Sequence, residues 1–593
     1  MASTGKEVIL LKNEIEKNFF MLIDFLVQKN CTSLYLPGGD EYLSEYVSKF
    51  DSLKYYFSGF TGSTSEVFIN VETKNLYLFV DGRYHLQADL ECSEFSFIKV
   101  VKLSIEVSPL SALLNQLKKD NITDIGIVID RTSLFYSEKI DAIVKNRQNF
   151  LTQEITSLIA YKLTPLNSEV FLIDSKIHID SMEEKMKKIS LKEKEGVYLS
   201  SPEDAAWLAN CRSYVIPYTS FFLAKSLLTK NRLYVYLPSE MKISPDVKKL
   251  SQVTFLFGKL ENWQNELSKI QKQENLEKIF YDPMTVTLQD KLVMDVVFAG
   301  ANIEIKAGMV STVKSIKTAN ELIEYDRINI LSSQAIAETI RWTKKMVVEG
   351  KSISEKAISN KIQEEYKRRG SVDLSFKTIA ARKENSAVIH YGNSSEENLI
   401  DMKDVVLLDS GAYYESGLAT DATRTFVVSP SHLNQSELEI LRFRYTLVLK
   451  AQMRAEMSLF KSGLMANSID HLARTVFSHY GLDFAHGLGH GVGIRVHDPG
   501  GRISPSSREY LQEGIVFSIE PGLYVEGEYG IRLENVVSVL KHSIHDQFCY
   551  FRPLIRVGWE EELIDFKMLD PLEIEYFNQY QSECAKLGTL THL

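Results

Sequence analysis

Four carboxylates and one imidazole in the last third of the chain restrict what this protein can fold into. They are Asp409, Asp421, His490, Glu520 and Glu534. Each of the five lies in or at the end of a predicted β-segment, so the fold must bring several strand ends together. Gathered carboxylates repel one another or stay protonated unless cations compensate their charge. The set therefore predicts a hydrolytic centre that binds two divalent metal ions.

Asp409 and Asp421 are predicted to lie at neighbouring strand ends of a β-hairpin. The apolar run 405–408 ends at Asp409, and Asp421 precedes the second strand-like run, TRTFVV. Paired strands lie about 5 Å apart, which is close enough for the two carboxylates to share a metal pair. The alternative is that both are ordinary turn residues, because aspartate favours turns.

Segment 486–493, HGLGHGVG, has glycine at every second position from Gly487. This is the period of a strand, and it excludes a helical pair of histidine ligands of the HExxH kind. In an extended strand His486 and His490 lie about 13 Å apart, so they are not expected to bind the same ion. One is predicted to be a ligand and the other to line a pocket. A hydrogen-bonded structural role is the alternative for each.

Glu520 and Glu534 are assigned to two further strands. Glu520 ends the run IVFSIE, and Glu534 is predicted inside the strand GIRLENVVSV. Arg532 and Glu534 are two positions apart and share one face of that strand, while apolar residues occupy the other face. The alternative is an exposed edge strand that carries a solvated Arg–Glu pair.

The length of 593 residues predicts several domains. Strands and helices alternate to about residue 160, and the pattern begins again after a loop at Thr164-Pro165. Thr318 and Glu321 have the spacing of a capping box before a long helix. We therefore predict two α/β domains, 1–160 and 161–315, and a mixed α+β domain, 316–593, with a helix near its C-terminus.

Composition excludes several function classes. The net charge of −10 argues against nucleic acid or an anionic membrane as the main partner. The five cysteines form no CxxC pair, and the chain has neither a signal-peptide pattern nor an apolar run long enough to cross a bilayer. We expect a cytoplasmic protein that acts on a small substrate or a peptide.

Four carboxylates and a single imidazole as ligands narrow the choice of metal ion but do not identify it. Such a set suits Mn²⁺, Fe²⁺, Co²⁺ or Zn²⁺, and we expect Mn²⁺ first. Two more histidines accompany the set in short motifs of the same predicted domain, His390 in AVIHYG and His497 in VHDPG.

Five sequence blocks resemble the motifs of metallo-aminopeptidases with a pita-bread catalytic domain: DSGAYYESGLATDATRT, HGLGHGVG, VHDPG, IEPGLY and GIRLEN. The match is strongest to the aminopeptidase P family of X-prolyl aminopeptidases. FTGST and FVDGRYHLQA resemble that family's first domain, and WLANCR its second. The resemblance implies a pita-bread domain preceded by two creatinase-like α/β domains, as in the three-domain cytosolic type, and a homo-oligomer, often a dimer.

The resemblance also implies roles for individual residues. The five residues named first would hold two metal ions, with Asp421 and Glu534 bridging them. The implied catalytic residues are His390, His497 and Glu520. The implied substrate-binding residues, in the first domain or around the proline pocket, are Arg83, His390, His486, His497, Tyr524 and Arg532.

The predicted activity is removal of the N-terminal residue from peptides with proline in second position, by a hydroxide between the two metal ions. A prolidase, which cuts only X-Pro dipeptides, is the nearest alternative. Prolidases resemble two-domain chains, whereas two domains precede the catalytic one here. A metal-free peptide-binding protein on the same fold is a third possibility, although all five ligand positions are filled.

One departure from the family pattern concerns the predicted hairpin. Asp409 and Asp421 are 12 positions apart, one more than is usual in that family. The extra residue is expected in the loop 416–418, where insertions are usually tolerated.

Overall fold

The computed structural model describes residues 12–48, 51–160, 168–174, 176–177 and 179–592. Three regions of regular structure follow one another: the first (12–160), the second (168–315) and the third (316–592). The predicted loop at Thr164-Pro165 lies outside the described residues, and both predicted domain boundaries stay predictions.

The first region is a six-stranded sheet flanked by helices. Its strands are β1 (Ser33–Leu36), β2 (Glu66–Asn70), β3 (Asn75–Val80), β4 (Ile98–Lys102), β5 (Asp124–Val128) and β6 (Asn146–Phe150). Its helices are α1 (Lys12–Gln28), α2 (Leu53–Ser58), α3 (His85–Cys92), α4 (Pro109–Lys119), α5 (Leu134–Asp141) and α6 (Thr152–Thr156). The strand order is β4-β3-β2-β1-β5-β6, with β2 antiparallel to both of its neighbours.

The second region repeats this topology. Its strands are β7 (Glu169–Leu172), β8 (Glu195–Leu199), β9 (Cys211–Arg212), β10 (Lys225–Thr229), β11 (Leu233–Pro238), β12 (Lys242–Ile243), β13 (Val253–Gly258), β14 (Lys278–Tyr281) and β15 (Asn302–Ile305). Its helices are α7 (Met182–Ile189), α8 (Pro202–Leu208), α9 (Trp263–Glu274), α10 (Leu288–Val297) and α11 (Ser311–Ser315). The order β13-β11-β10-β8-β14-β15 places each strand as its counterpart lies in the first sheet, with β10 antiparallel to both neighbours.

One apolar cluster joins the first two regions. Tyr35 and Ile127 of the first region belong to the same buried cluster as Tyr198 and Leu227 of the second. Full burial of one such side chain contributes about 1.5–3 kcal/mol. The two sheets are therefore held together as one support for the third region.

The third region contains the remaining regular structure. Its helices are α12 (Ala319–Val348), α13 (Glu355–Arg368), α14 (Gln435–Glu456), α15 (Asn467–Ser478) and α16 (Pro571–Leu587). Its strands are β16 (Asp373–Leu374), β17 (Ile379–Arg382), β18 (Val405–Asp409), β19 (Ala412–Tyr413), β20 (Thr423–Val427), β21 (Leu459–Lys461), β22 (Leu464–Met465), β23 (Gly489–Gly491), β24 (Asp498–Ile503), β25 (Tyr510–Leu511), β26 (Val516–Ile519), β27 (Gly522–Val525), β28 (Tyr529–Arg532), β29 (Asn535–Lys541) and β30 (Phe548–Pro553).

Two sheets of the third region pack on separate pairs of helices. The antiparallel sheet β17-β18-β20 shares an apolar cluster with α12 and α13. The six-stranded sheet β21-β30-β29-β26-β23-β24 shares another with α14 and α15. The predicted capping box at the start of α12 is present, because the backbone N–H of Glu321 donates to Thr318 Oγ1 (3.3 Å).

The extended strand predicted for segment 486–493 is only partly present. Strand β23 contains just Gly489–Gly491, and its pairing with β24 shifts register there. The carbonyl oxygen of His486 instead accepts a hydrogen bond from Arg474 Nη2 (2.6 Å), which holds this part of the chain off the sheet.

The prediction that Glu534 lies inside one continuous strand is wrong. Leu533 and Glu534 separate β28 from β29, because the chain changes here from pairing with β27 to pairing with β26. The backbone N–H of Glu534 donates to the carbonyl oxygen of Thr423 (3.1 Å). Glu534 is therefore fixed by β20.

Two further observations concern the cysteines and the helices. All five cysteines are buried and carry free thiols. Among the described residues, no helix combines the length and the apolar character that spanning a membrane requires.

Candidate metal centre

The five predicted ligands all line one cavity of about 1600 Å³. Its walls come from both ends of the chain: Arg83 and Tyr84 belong to the first region, and His390 and His497 to the third. The structure thus brings together residues that are more than 400 positions apart in sequence.

Three of the ligands form the tightest group. One ligand atom each of Asp421, His490 and Glu534 lies within 4.8 Å of the others. His490 Nε2 lies 3.5 Å from Asp421 Oδ2 and 3.4 Å from Glu520 Oε1. His486 is not part of this group, as the spacing along segment 486–493 predicts.

The surroundings of His490 keep its imidazole neutral, which is the form that binds a metal ion. Its Nδ1 lies 3.1 Å from the carbonyl oxygen of Gly491, and a carbonyl can only accept. Nδ1 therefore carries the proton, and the Nε2 lone pair faces the carboxylates. Burial lowers the pKa of His490 to about 3. The close approach requires glycine at position 489, because a Cβ there would lie 1.8 Å from the carbonyl oxygen of Ser518.

The carboxylates carry more negative charge than the surrounding protein compensates. Burial, followed by the charges of Glu534 and Asp409, raises the pKa of Asp421 well above its ordinary value. Burial likewise raises the pKa of Glu520 to about 7. Such shifts are expected where like charges share a site of low dielectric constant.

Two carboxylate oxygens of the five predicted ligands have no hydrogen-bond partner among the described residues. They are Asp409 Oδ1 and Glu534 Oε1, and both are buried. Buried polar atoms are normally satisfied, so each such exception requires an explanation. Divalent cations would coordinate these oxygens and offset the repulsion among the carboxylates. The residues present therefore fit a site for two divalent ions.

Arg532 is buried within the cluster. Its Nη2 donates to Asp409 Oδ2 (2.5 Å) and its Nε to Thr423 Oγ1 (3.1 Å). Thr423 in turn donates to Glu534 Oε2 (2.7 Å). Arg532 and Glu534 are 1% and 2% exposed, so the alternative of a solvated pair on an edge strand is wrong. The neighbouring apolar residues Ile531 and Leu533 lie in the hydrophobic core.

Tyr524 connects Arg532 to His486. Its hydroxyl lies 2.9 Å from His486 Nε2 and accepts a hydrogen bond from Arg532 Nη1 (2.9 Å). Burial lowers the pKa of His486 to about 3, so this histidine is neutral. These three residues, which the resemblance assigns to the proline pocket, do form one contiguous group.

The first region contributes two contacts that the sequence did not predict. Glu45 Oε1 lies 2.6 Å from His497 Nδ1, and the hydroxyl of Tyr84 lies 2.9 Å from His390 Nδ1. Burial opposes ionisation of Glu45, but the charge and hydrogen bond of His497 together with the charges of Arg495 and Arg83 outweigh this effect, and the pKa of Glu45 falls to about 2. No spacing or local pattern relates these residues.

Arg83 lines the cavity, as the resemblance implies for a substrate-contacting arginine. Its guanidinium is partly engaged within the first region. Nε and Nη2 donate to Asp81 Oδ1 (2.9 Å) and Oδ2 (2.8 Å), and Nη2 also donates to Thr64 Oγ1 (3.1 Å).

The C-terminal helix also supports the centre. Arg424, which is 2% exposed, donates through Nη1 to the carbonyl oxygens of Thr423 (2.9 Å) and Glu534 (2.6 Å). Its Nη2 donates to the hydroxyl of Tyr580 in α16 (2.8 Å). The helix predicted from the sequence near the C-terminus thus stabilises the backbone beneath two site residues.

The loop between Asp409 and Asp421 contacts the second region. Arg212 Nε donates to the carbonyl oxygen of Ser416 (3.1 Å), and Ser220 Oγ to that of Gly417 (2.6 Å). The longer hairpin noted in the sequence is therefore held between two regions of the molecule.

Comparisons with known protein families assign the residues of the metal centre to a metallopeptidase domain. Residues 324–541 match the model of metallopeptidase family M24, and residues 163–321 match the creatinase/prolidase N-terminal domain. A Schizosaccharomyces pombe peptidase, described as uncharacterized, is 30% identical over 95% of this chain and 94% of its own length. The chain belongs to metallopeptidase family M24.

Other similar proteins extend over nearly the whole of this M24 chain. A probable Xaa-Pro aminopeptidase P of Pyrenophora teres f. teres is 28% identical, over 94% of this chain and 87% of its own. The crystal structure of the X-prolyl aminopeptidase of Caenorhabditis elegans, a cytosolic enzyme with a di-nuclear active site, matches with a TM-score of 0.86 and 24% identity. It covers 97% of this chain and 96% of that one. The predicted resemblance to aminopeptidase P and the predicted fold class are confirmed.

Proposed function

We propose that this M24 protein is a metal-dependent X-Pro aminopeptidase, which removes the N-terminal residue from peptides with proline in second position. The observation that carries the proposal is the close grouping of Asp421, His490 and Glu534 in a cavity lined by residues of the first and third regions. Relatives named as Xaa-Pro aminopeptidases cover nearly the whole chain, including both regions before the M24 domain.

The centre would hold two divalent ions through the five predicted ligands, and Mn²⁺ is our first choice among Mn²⁺, Fe²⁺, Co²⁺ and Zn²⁺. When bound, such ions polarise a peptide carbonyl and lower the pKa of water towards neutrality. The unpartnered oxygens of Asp409 and Glu534 support this assignment.

We assign proton transfer to three residues of the chain. Glu520 accepts a hydrogen bond from Ser518 Oγ (3.2 Å), which orients its carboxylate beside His490. It would take up the proton of the attacking water. His390 and His497 would hydrogen-bond the developing oxyanion or return a proton to the proline nitrogen. Their Nδ1 atoms already contact Tyr84 and Glu45, so each has Nε2 available for the substrate.

The size of the cavity favours peptides over dipeptides. At about 1600 Å³ it exceeds the usual range of roughly 300–1,000 Å³ for small-molecule sites. Its walls include residues of the first region as well as the metal ligands. A prolidase, which must hold only a dipeptide, stays the second candidate because its site chemistry is the same.

We also propose a cytoplasmic homodimer that does not bind nucleic acid or membranes. The net charge of −10 supports the absence of a polyanionic partner. The similar protein of C. elegans is described as cytosolic. The dimer rests on the resemblance of the sequence blocks to aminopeptidase P.

Comparing two substrates tests the activity. The metal-loaded protein is expected to cleave the tripeptide Ala-Pro-Ala much faster than the dipeptide Ala-Pro. Chelation should abolish cleavage, and Mn²⁺, Zn²⁺ or Co²⁺ should restore it to different degrees. Cleavage of the dipeptide alone would establish a prolidase instead.

A ligand variant tests the metal centre. Asp421→Asn should lower kcat by at least about 10³-fold, because a ligand to the catalytic metal ions is lost. Asp546→Asn, at an exposed position in the same region, provides the matched control. Metal analysis of both variants completes the test, and an Asp421→Asn protein that keeps its metal and its activity would refute the assignment.

A further inference from the structure

A chain of side chains in the first region ends at His390. Tyr84, which is 3% exposed, lies with its hydroxyl 2.9 Å from His390 Nδ1 and 2.7 Å from Ser63 Oγ. The rings of Tyr84 and His390 meet edge to face, with centroids 5.0 Å apart. The hydroxyl thus has two neighbours, and it can donate its single proton to only one of them.

Arg83 lies at the other end of this chain and favours one direction of donation along it. A guanidinium can donate hydrogen bonds but cannot accept them. Arg83 Nη2 donates to Thr64 Oγ1 (3.1 Å), and Thr64 Oγ1 lies 3.3 Å from Ser63 Oγ. If each hydroxyl accepts on the side of Arg83 and donates on the other, Ser63 donates to Tyr84 and Tyr84 donates to His390 Nδ1.

We propose that Tyr84 is a positioning residue that holds His390 in the neutral tautomer with its proton on Nε2. His390 then offers an N–H donor to the substrate in the cavity. This role rests on the proposed peptidase function, since it concerns how His390 meets the reacting peptide. The opposite tautomer would leave Nε2 without a proton and unable to donate to an oxygen that gains negative charge.

The surrounding charges agree with this arrangement. Burial, followed by the positive charge of Arg83, lowers the pKa of His390 well below its ordinary value, so the ring is neutral. Burial also raises the pKa of Tyr84, so its hydroxyl keeps its proton. A neutral imidazole beside a protonated phenol can accept at one nitrogen while it donates at the other.

The tautomer can be measured without turnover by ¹⁵N NMR of protein labelled at histidine. Spectra are recorded on the full chain, both metal-free and loaded with diamagnetic Zn²⁺, and His390→Gln assigns the signal. Wild type should show His390 protonated at Nε2 alone. In Tyr84→Phe a population protonated at Nδ1 should appear, because the donor to that nitrogen is lost.

Tyr391→Phe is the matched control. It removes a hydroxyl from the adjacent residue, which bonds Glu355 Oε2 (2.9 Å) and not His390. The His390 signal should be unchanged in this variant. A wild-type His390 protonated at Nδ1, or an unchanged tautomer in Tyr84→Phe, would overturn the proposal.

Kinetics on Ala-Pro-Ala provide the second measurement. Tyr84→Phe should lower kcat by about 10- to 100-fold with KM within about twofold, because a donor to the transition state is misplaced. Tyr391→Phe should stay within about twofold of wild type in both constants. A tautomer change without any effect on kcat would refute the catalytic part of the proposal. If the wild type hydrolyses no X-Pro peptide, the proposed function fails, while the tautomer itself is still decided by NMR.

Discussion

At the scale of single residues, the metal centre is built from groups that oppose folding until cations bind. Asp421 and Glu534 are 5% and 2% exposed, and burial together with neighbouring carboxylates raises the pKa of each well above its ordinary value. Arg532 compensates part of this charge through Asp409. The stability of the metal-free protein should therefore depend on how many of these carboxylates are protonated.

The metal-free protein is expected to lose stability as the pH rises from about 5 to 8. The pKa of Glu520 is about 7 in the folded state, against about 4.3 in an unfolded chain. A raised pKa means that the folded state binds the proton more tightly. The resulting stability is present below the unfolded pKa and is lost as the pH rises through 7.

Differential scanning calorimetry in the presence of a chelator measures this effect. Glu520→Gln serves as the matched variant, since it cannot ionise at this position. The Tm of Glu520→Gln minus that of wild type should grow between pH 5 and pH 8. A constant difference would show that Glu520 does not titrate in this range.

Residues that the sequence places at strand ends do lie around one cavity in the structure. Asp409 and Glu520 were predicted because each carboxylate ends an apolar β-segment, whereas His490 was selected over His486 by the resemblance to aminopeptidase P. Glu45 and Tyr84 were missed because their partners lie 452 and 306 positions away and no local pattern marks them. Such contacts are created only by the packing of the first region against the third.

At the scale of elements, the loop between β18 and β20 couples the centre to the second region. Gly417 has φ +66°, in the left-handed region that favours glycine. A Cβ at this position would lie 2.4 Å from Arg212 Nε. Arg212 itself is fully buried, and its guanidinium is satisfied by backbone carbonyl oxygens, Ser416 among them.

Gly417→Ala should therefore destabilise the protein by more than backbone strain alone. Gly463 is the matched control, because its φ of +85° is also left-handed but a Cβ there would meet nothing within 4 Å. Gly463→Ala should cost about 1 kcal/mol, and Gly417→Ala should exceed it by about 1–3 kcal/mol. Urea denaturation measures the free energy of unfolding of both variants. Equal losses would show that the loop can move away from Arg212 without a further cost.

Elements were predicted best where the signal was local. The capping box at Thr318 and the doubled α/β pattern are both present in the structure. The alternating glycines of segment 486–493 predicted a longer strand than β23, because they permit close backbone contacts as well as strand pairing. Glycine at every second position therefore indicates that neighbouring backbone comes close to the segment. It does not determine how much of the segment pairs as a strand.

At the scale of the whole molecule, the first two regions form a single support for the M24 domain, and one turn of the first region reaches the cavity of the metal centre. Their shared apolar cluster fixes the first sheet against the second. The turn Gly82–Tyr84 then reaches the third region at two points, Gly82 against Ala485 and Tyr84 against His390. The position of the first region thus decides whether the histidines have their partners.

Gly82→Ala should test this dependence directly. A Cβ at position 82 would lie 2.2 Å from the carbonyl oxygen of Ala485, so the turn must move away from the M24 domain. Displacements of about 1 Å at a catalytic group can cost about 10²-fold in rate. Circular dichroism should show that the variant is folded. Its kcat on Ala-Pro-Ala should be about 10- to 100-fold lower than that of wild type.

Two comparisons separate this effect from a general loss of stability. Gly300→Ala, where a Cβ would meet nothing within 4 Å, should behave as wild type. In the Tyr84→Phe background, Gly82→Ala should cost much less than in wild type, because residues that act through one contact are not additive. If the two losses were fully additive, the turn would influence the centre by a route other than Tyr84, and the coupling between the first region and His390 would have to be abandoned.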